Sequence, residues 1–146
     1  MSRLRSILAI LILLLACAFQ FWFASAGVFI NFILATLIVF AFFFDIWELL
    51  VFVCFAVFVI NWQPMMSVDV FLFAIIPLAA YAFHKVFAWT AWVAAPVAIA
   101  IGFILLYVTI APLSFLASLN LFFIDLFGAL IFGGLAFLTF DRLEIK

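Results

Sequence analysis

The sequence predicts an all-α integral membrane protein, a bundle of about six transmembrane helices forming one domain over residues 1–146. Three observations predict it. First, 75% of the residues are hydrophobic and only 8% are charged, against roughly 45–50% and about 25% in a soluble domain. Second, the apolar residues form continuous runs near the length needed to cross about 30 Å of hydrocarbon. Third, all five basic residues, Arg3, Arg5, Lys85, Arg142 and Lys146, fall on one side when six crossings are counted from an inside N-terminus, as the positive-inside rule expects. This composition excludes a soluble enzyme, a nucleic-acid binder and a disordered tail. Two cysteines are too few for a disulfide scaffold.

The first run, Leu4–Phe23, follows Arg3 and Arg5. Its start resembles a signal peptide, and Leu14-Leu15-Ala16-Cys17 resembles a lipoprotein cleavage box. The apolar sequence continues to Phe23, however, so a retained signal anchor is expected. The second run, Val28–Phe44, follows the turn-like Ser25-Ala26-Gly27, and the third is Ile46–Ile60. One helix over both would be about 50 Å long, so the chain is expected to reverse at Asp45. The fourth run, Val70–Phe83, ends at His84-Lys85, the fifth is Ala91–Ile110, and the sixth is Leu121–Phe140, closed by Asp141-Arg142. The third and fourth are short for full spans. Continuous rather than alternating hydrophobicity disfavours barrel strands. With both termini cytoplasmic, the expected location is a plasma membrane, crossed several times.

Between the spans, Asn61-Trp62-Gln63-Pro64-Met65-Met66-Ser67 reads as an outer loop. Trp22, Trp47, Trp62 and Trp89 fall near span ends, where an aromatic belt is expected, and Trp92 is borderline. Pro77 and Pro96 lie inside spans and are expected to kink them, while Pro112 ends the fifth span. Ala94, Ala98 and Gly102 recur every four residues on the fifth span, and Ala129 and Gly133 do so on the sixth. Such faces permit close helix approach. Either the two pack on each other or one receives a partner protein.

Reactive groups are sparse. Three or four clustered ligands would mark a metal site, and Cys17, Cys54 and the single His84 form no such group in the sequence. Neither a nucleophile elbow nor a nucleotide-binding glycine pattern is present. No catalytic residue, cofactor or metal is therefore expected, nor a nucleic-acid partner. Asp125 stands out, because a carboxylate about 7 Å into a span is expensive in hydrocarbon. It must be protonated, solvated from the surface or paired by a partner subunit. Asn31, Asn61, Tyr107 and Asn120 are candidate neutral hydrogen-bond partners. Asp45 and Glu48 at the inner turn read as solvated charges or as a docking patch.

Several stretches together resemble the rod shape-determining MreD family of bacterial inner-membrane proteins. They are the basic start with Ala18-Phe19-Gln20, the Asn-led Asn31-Phe32-Ile33-Leu34-Ala35, the acidic turn Phe44-Asp45-Ile46-Trp47-Glu48, and the ending Phe140-Asp141-Arg142-Leu143. Where many members have glycine and aspartate near the end of the third span, this chain reads Phe55-Ala56-Val57-Phe58-Val59-Ile60-Asn61. The resemblance implies a non-enzymatic scaffold of the cell-elongation and peptidoglycan-synthesis machinery. Its implied partners are an MreC-like bitopic protein, the actin-like MreB and peptidoglycan synthesis enzymes. It also implies an architecture like the six-helix substrate-binding subunits of energy-coupling vitamin transporters. That architecture supplies an alternative function, small-molecule uptake through a cavity lined by Asn61, Trp62, Tyr107 and Asp125. As a scaffold, the chain is expected to meet partners at Asp45 and Glu48, at Asp125, and along Ala94, Ala98, Gly102, Ala129 and Gly133.

Overall fold

The computed structural model describes residues 2–60, 68–87, 89–110 and 112–144. Among these, seven helices follow one another: α1 (Ser2–Ser25), α2 (Phe32–Phe43), α3 (Ile46–Ile60), α4 (Val68–Val86), α5 (Ala91–Ile110), α6 (Pro112–Ala117) and α7 (Leu119–Glu144). α1, α4, α5 and α7 are long and apolar enough to cross a membrane, while α2 and α3 are shorter. At 1.5 Å per residue, the 12 residues of α2 span only about 18 Å.

α2 is the axle of the bundle. It packs against α1, α3, α4, α5 and α7, and every one of its residues except Phe42 is buried. Its one polar side chain, Thr36, donates its hydroxyl to the Phe32 carbonyl of the same helix, so α2 has no side to show water and fits the centre of the assembly. The expected second span, Val28–Phe44, therefore needs correction at its start. α1 ends in a Schellman turn, in which the Gly27 N–H donates to the Ala24 carbonyl and the Val28 N–H to the Phe23 carbonyl. Gly27 supplies the left-handed conformation this turn needs, at φ 80°. Residues 28–31 then run without helix before α2 begins at Phe32.

The other boundaries shift for local reasons. α4 is 19 residues long, starting before Val70 and running past His84-Lys85. α4 and α5 each continue through a proline, Pro77 and Pro96. Pro112 both follows α5 and opens the short α6, a first-turn position where its missing N–H is harmless. The loop 61–67, with Trp62, lies outside the described residues, as does Lys146.

Ring contacts fix which helix ends lie together. Phe40 and Phe44 from the end of α2 meet Phe140 from the end of α7, with ring centroids 5.6 and 5.4 Å apart. Arg5, near the start of α1, sits 4.6 Å over the Phe44 ring. His84 of α4 lies against Phe42, and Trp92 of α5 against Phe137. The start of α1 and the end of α7 thus share one end of the bundle, with Arg5, His84 and Lys85, and Arg142 two residues beyond Phe140. This is the basic end.

Close helix approach supplies cohesion where lipid removes the hydrophobic drive between helices. At Gly133 of α7, a β-carbon would stand 2.7 Å from Ile99 Cδ1 of α5. At Gly102 of α5, it would stand 2.7 Å from Ile76 Cγ2 of α4 and 3.0 Å from Ile38 Cδ1 of α2. The small-residue faces of α5 and α7 are therefore filled largely from within the chain.

Candidate functional site

The polar groups of the interior converge at the end opposite the basic one. A helix leaves its first backbone N–H groups without intrahelical partners. In hydrocarbon each such donor must find a protein acceptor. α2 starts inside the bundle, so its donors are answered by side chains from other helices.

Asp125, on the second turn of α7, is fully buried. Its Oδ1 accepts the backbone N–H of Asn31 at 2.7 Å. Its Oδ2 accepts Asn31 Nδ2–H at 2.7 Å and the Tyr107 hydroxyl at 2.5 Å. At the second residue of α2, the Ile33 N–H donates to Gln20 Oε1 of α1 at 3.1 Å. The Phe32 N–H between them reaches the Ile30 carbonyl at 3.1 Å. The start of α2 is thus tied to α7, α5 and α1 at once.

Three donors aimed at two oxygens make a set that an ionised carboxylate accepts in full. Asp125 also faces the amino end of α2, where the aligned peptide dipoles favour negative charge. Its partners in the structure are neutral. Chemically, the arrangement binds and orients helices; it holds the carboxyl group by neutral donors and peptide dipoles rather than by a cation.

Asn31 and Tyr107 are two of the four partners anticipated for Asp125. Asn120 is exposed, and Asn61 lies outside the described residues. Gln20 went unrecognised as a cap. A lone amide within the apolar run of α1 was the available signal, because polar side chains in such runs join helices.

The residues expected to meet partners are placed as follows. Asp125, Ala94 and Ala129 are buried, and Gly102 and Gly133 are buried against isoleucines of neighbouring helices. These five face the chain's own helices. Asp125 in particular is bonded internally. Ala98 is half-buried and lines an apolar groove of about 240 Å³ between α4 and α5, with Ile75, Ala79, Val97 and Ile101. Asp45 and Glu48 are exposed. The Asp45 N–H donates to Glu48 Oε2 at 3.4 Å, which is half of a capping box at the start of α3. That D-x-x-E spacing was legible in the sequence and was read only as charge.

Of the residues proposed to line an uptake cavity, Asn61 and Trp62 are outside the described residues, and Tyr107 and Asp125 bond to each other. Among the described residues, no cluster of histidine, cysteine, aspartate or glutamate is set to hold a metal. Cys17 is buried and Cys54 exposed, each as a free thiol. No known protein family, curated protein or solved structure matches the chain.

Proposed function

We propose that the chain is a non-enzymatic scaffold of a bacterial plasma membrane, one that holds other membrane proteins of the cell-elongation machinery as the MreD resemblance implies. One observation carries this reading. The interior polar groups, Gln20, Asn31, Tyr107 and Asp125, bond helix to helix, which is the chemistry of a rigid platform. Outward, the groove between α4 and α5 offers small side chains, Ala79 and Ala98, between larger apolar walls. That relief suits the helix of a single-pass partner, because close van der Waals fit drives association in lipid. The exposed Asp45-Ile46-Trp47-Glu48 turn at the basic end offers a second contact.

Detergent purification from a bacterial membrane tests the reading. A photo-crosslinking residue at Ile101, whose side chain is exposed along the groove, should capture an MreC-like bitopic protein. The same residue at Leu135, exposed on α7 away from the groove, should not. Recovery of a stoichiometric vitamin-like small molecule, with no elongation protein crosslinked, would favour the uptake reading and defeat the scaffold.

A further inference from the structure

The segment between α1 and α2 is fastened to α7 at two points one turn apart. The first is polar: Asn31 gives both its backbone N–H and its side-chain amide to Asp125. The second is apolar: Ile30, only 7% exposed, seats on Gly128, where a β-carbon would stand 3.0 Å from its Cδ1 and Cγ2. Asp125 and Gly128 are three residues apart and so lie on one face of α7. The neighbouring Val28 and Phe29 are exposed. Residues 26–31 therefore form a strap, turned back onto α1 by the Val28 N–H, exposed at Phe29, plugged at Ile30 and clasped at Asn31.

We propose that this strap is a proton-sensitive clasp, closed while Asp125 is ionised and released when it is protonated. The inference is independent of the scaffold reading. A proton from water that binds Oδ2 takes an acceptor position shared by Asn31 Nδ2–H and the Tyr107 hydroxyl. A proton on Oδ1 competes with the Asn31 N–H in the same way. Either event replaces an acceptor with a donor and removes the charge that strengthens the remaining bonds. The groups facing Asp125 make it the responsive one. The N-cap of α2 presents Asn31, a neutral amide, and the nearby polar group of α1 is Gln20, also a neutral amide, which caps the Ile33 N–H. α5 presents Tyr107, whose hydroxyl donates to the carboxylate. α6 carries no ionisable residue in its sequence, and the next ionisable residue of α7 is Asp141, at the basic end. With the clasp open, Ile30 lifts from Gly128, while the turn bonds of Gly27 and Val28 still tie the strap to α1.

Thiol labelling of the full chain in phosphatidylethanolamine–phosphatidylglycerol vesicles reads the clasp. Cys17 and Cys54 are first replaced by alanine. An Ile30→Cys variant reports the lifted strap, and a Phe29→Cys variant, at a position exposed in the closed state, corrects for the intrinsic pH dependence of the thiol. An ionophore equalises pH across the membrane. The rate ratio of the Ile30 to the Phe29 reporter should rise roughly tenfold from mildly alkaline to acid pH, the size of one charge-assisted hydrogen bond. With Asp125→Asn added, the ratio should be high and independent of pH. Tyr107→Phe, which keeps the ring and removes one donor that stabilises the ionised carboxylate, should raise the ratio at neutral pH, and it keeps the test open where Asp125→Asn fails to insert. A ratio unchanged by pH in the parent overturns the proposal. So does a pH dependence that survives Asp125→Asn, or a Tyr107→Phe ratio equal to the parent's.

Discussion

Replacing Gly102 with alanine tests the helix packing at one of its two tightest points. The added methyl would lie 2.7 Å from Ile76 Cγ2 and 3.0 Å from Ile38 Cδ1. These neighbours differ in how easily they yield. Ile38 Cδ1 is the end of a flexible chain and can swing aside. Ile76 Cγ2 is fixed at the branch point, and in a helix a β-branched residue holds nearly one χ1 rotamer. α4 must therefore move from α5, or Ile76 must leave its rotamer. Overpacking of this kind destabilises by about 1–3 kcal/mol, while alanine in place of glycine returns up to about 1 kcal/mol of helix propensity. The expected balance is a net loss of about 1–2 kcal/mol, read as an earlier midpoint in reversible denaturation by sodium dodecyl sulfate in mixed micelles. The identity of the offending atom supplies the stricter check. Ile76→Leu removes Cγ2 and should restore most of the loss in the double variant. Ile76→Val keeps Cγ2 and should not. At Gly134, where nothing stands within 4 Å, the same glycine-to-alanine change should be neutral or stabilising. If Gly102→Ala is as stable as the parent, or if valine rescues as well as leucine, the packing argument fails.

The polar interior gives three further expectations, each measurable by the same denaturation. Asp125→Ala strands three donors, of which the Tyr107 hydroxyl and the Asn31 amide can reorient but the Asn31 backbone N–H cannot. A loss of about 2–4 kcal/mol is expected, and a change below about 0.5 kcal/mol would contradict the cap. Gln20→Leu keeps the side-chain bulk but leaves the Ile33 N–H unanswered, for a loss of about 1–3 kcal/mol. Hydrogen exchange should quicken at Ile33 while the basic end keeps its protection. Gly27→Ala meets no neighbour within 4 Å, so only its backbone at φ 80° opposes it. A loss of about 1–2 kcal/mol follows from left-handed strain alone, and Gly27→Asn should lose less.

The class of the molecule was legible in the sequence because lipid imposes a coarse rule, an apolar run long enough to cross. The expected bounds of the fifth run, Ala91–Ile110, coincide with α5. Which face of each helix meets its neighbours was not legible, for the same physical reason. In water an apolar stripe marks the core, but in a membrane both the interior and the lipid-facing side are apolar. Leu37 and Ile38 are fully buried while Leu11 and Ile7 are more than half exposed, and nothing in those residue types separates them. The central position of α2 was therefore hidden. Polar residues carry more information per residue, since each needs a partner. Asn31 and Tyr107 were named as candidates for Asp125 on chemistry alone, and both bond it. The small residues left two readings open because periodicity shows that a helix is approached but not by what.

The shortness of α2 connects these observations. A helix of 12 residues cannot reach both faces of a bilayer, so at least one of its ends must be satisfied by protein. Its amino end is answered by a carboxylate and an amide, its partial positive charge facing Asp125. Its carboxyl end closes at Phe44, whose N–H returns to the Phe40 carbonyl. Over the Phe44 ring lies the guanidinium of Arg5, a cation at the end where the helix dipole is negative. α7 therefore supplies a carboxyl group at one end and α1 a guanidinium at the other for a helix that belongs to neither. Both are long helices that can cross the membrane, so the short helix is held in depth and rotation by two long ones. The charges along α2 are complementary without forming an ion pair with each other. The placement of Gln20, Asn31 and Asp125 in otherwise apolar sequence then has a single cause: each answers a backbone or side-chain group exposed by starting a helix inside the bundle.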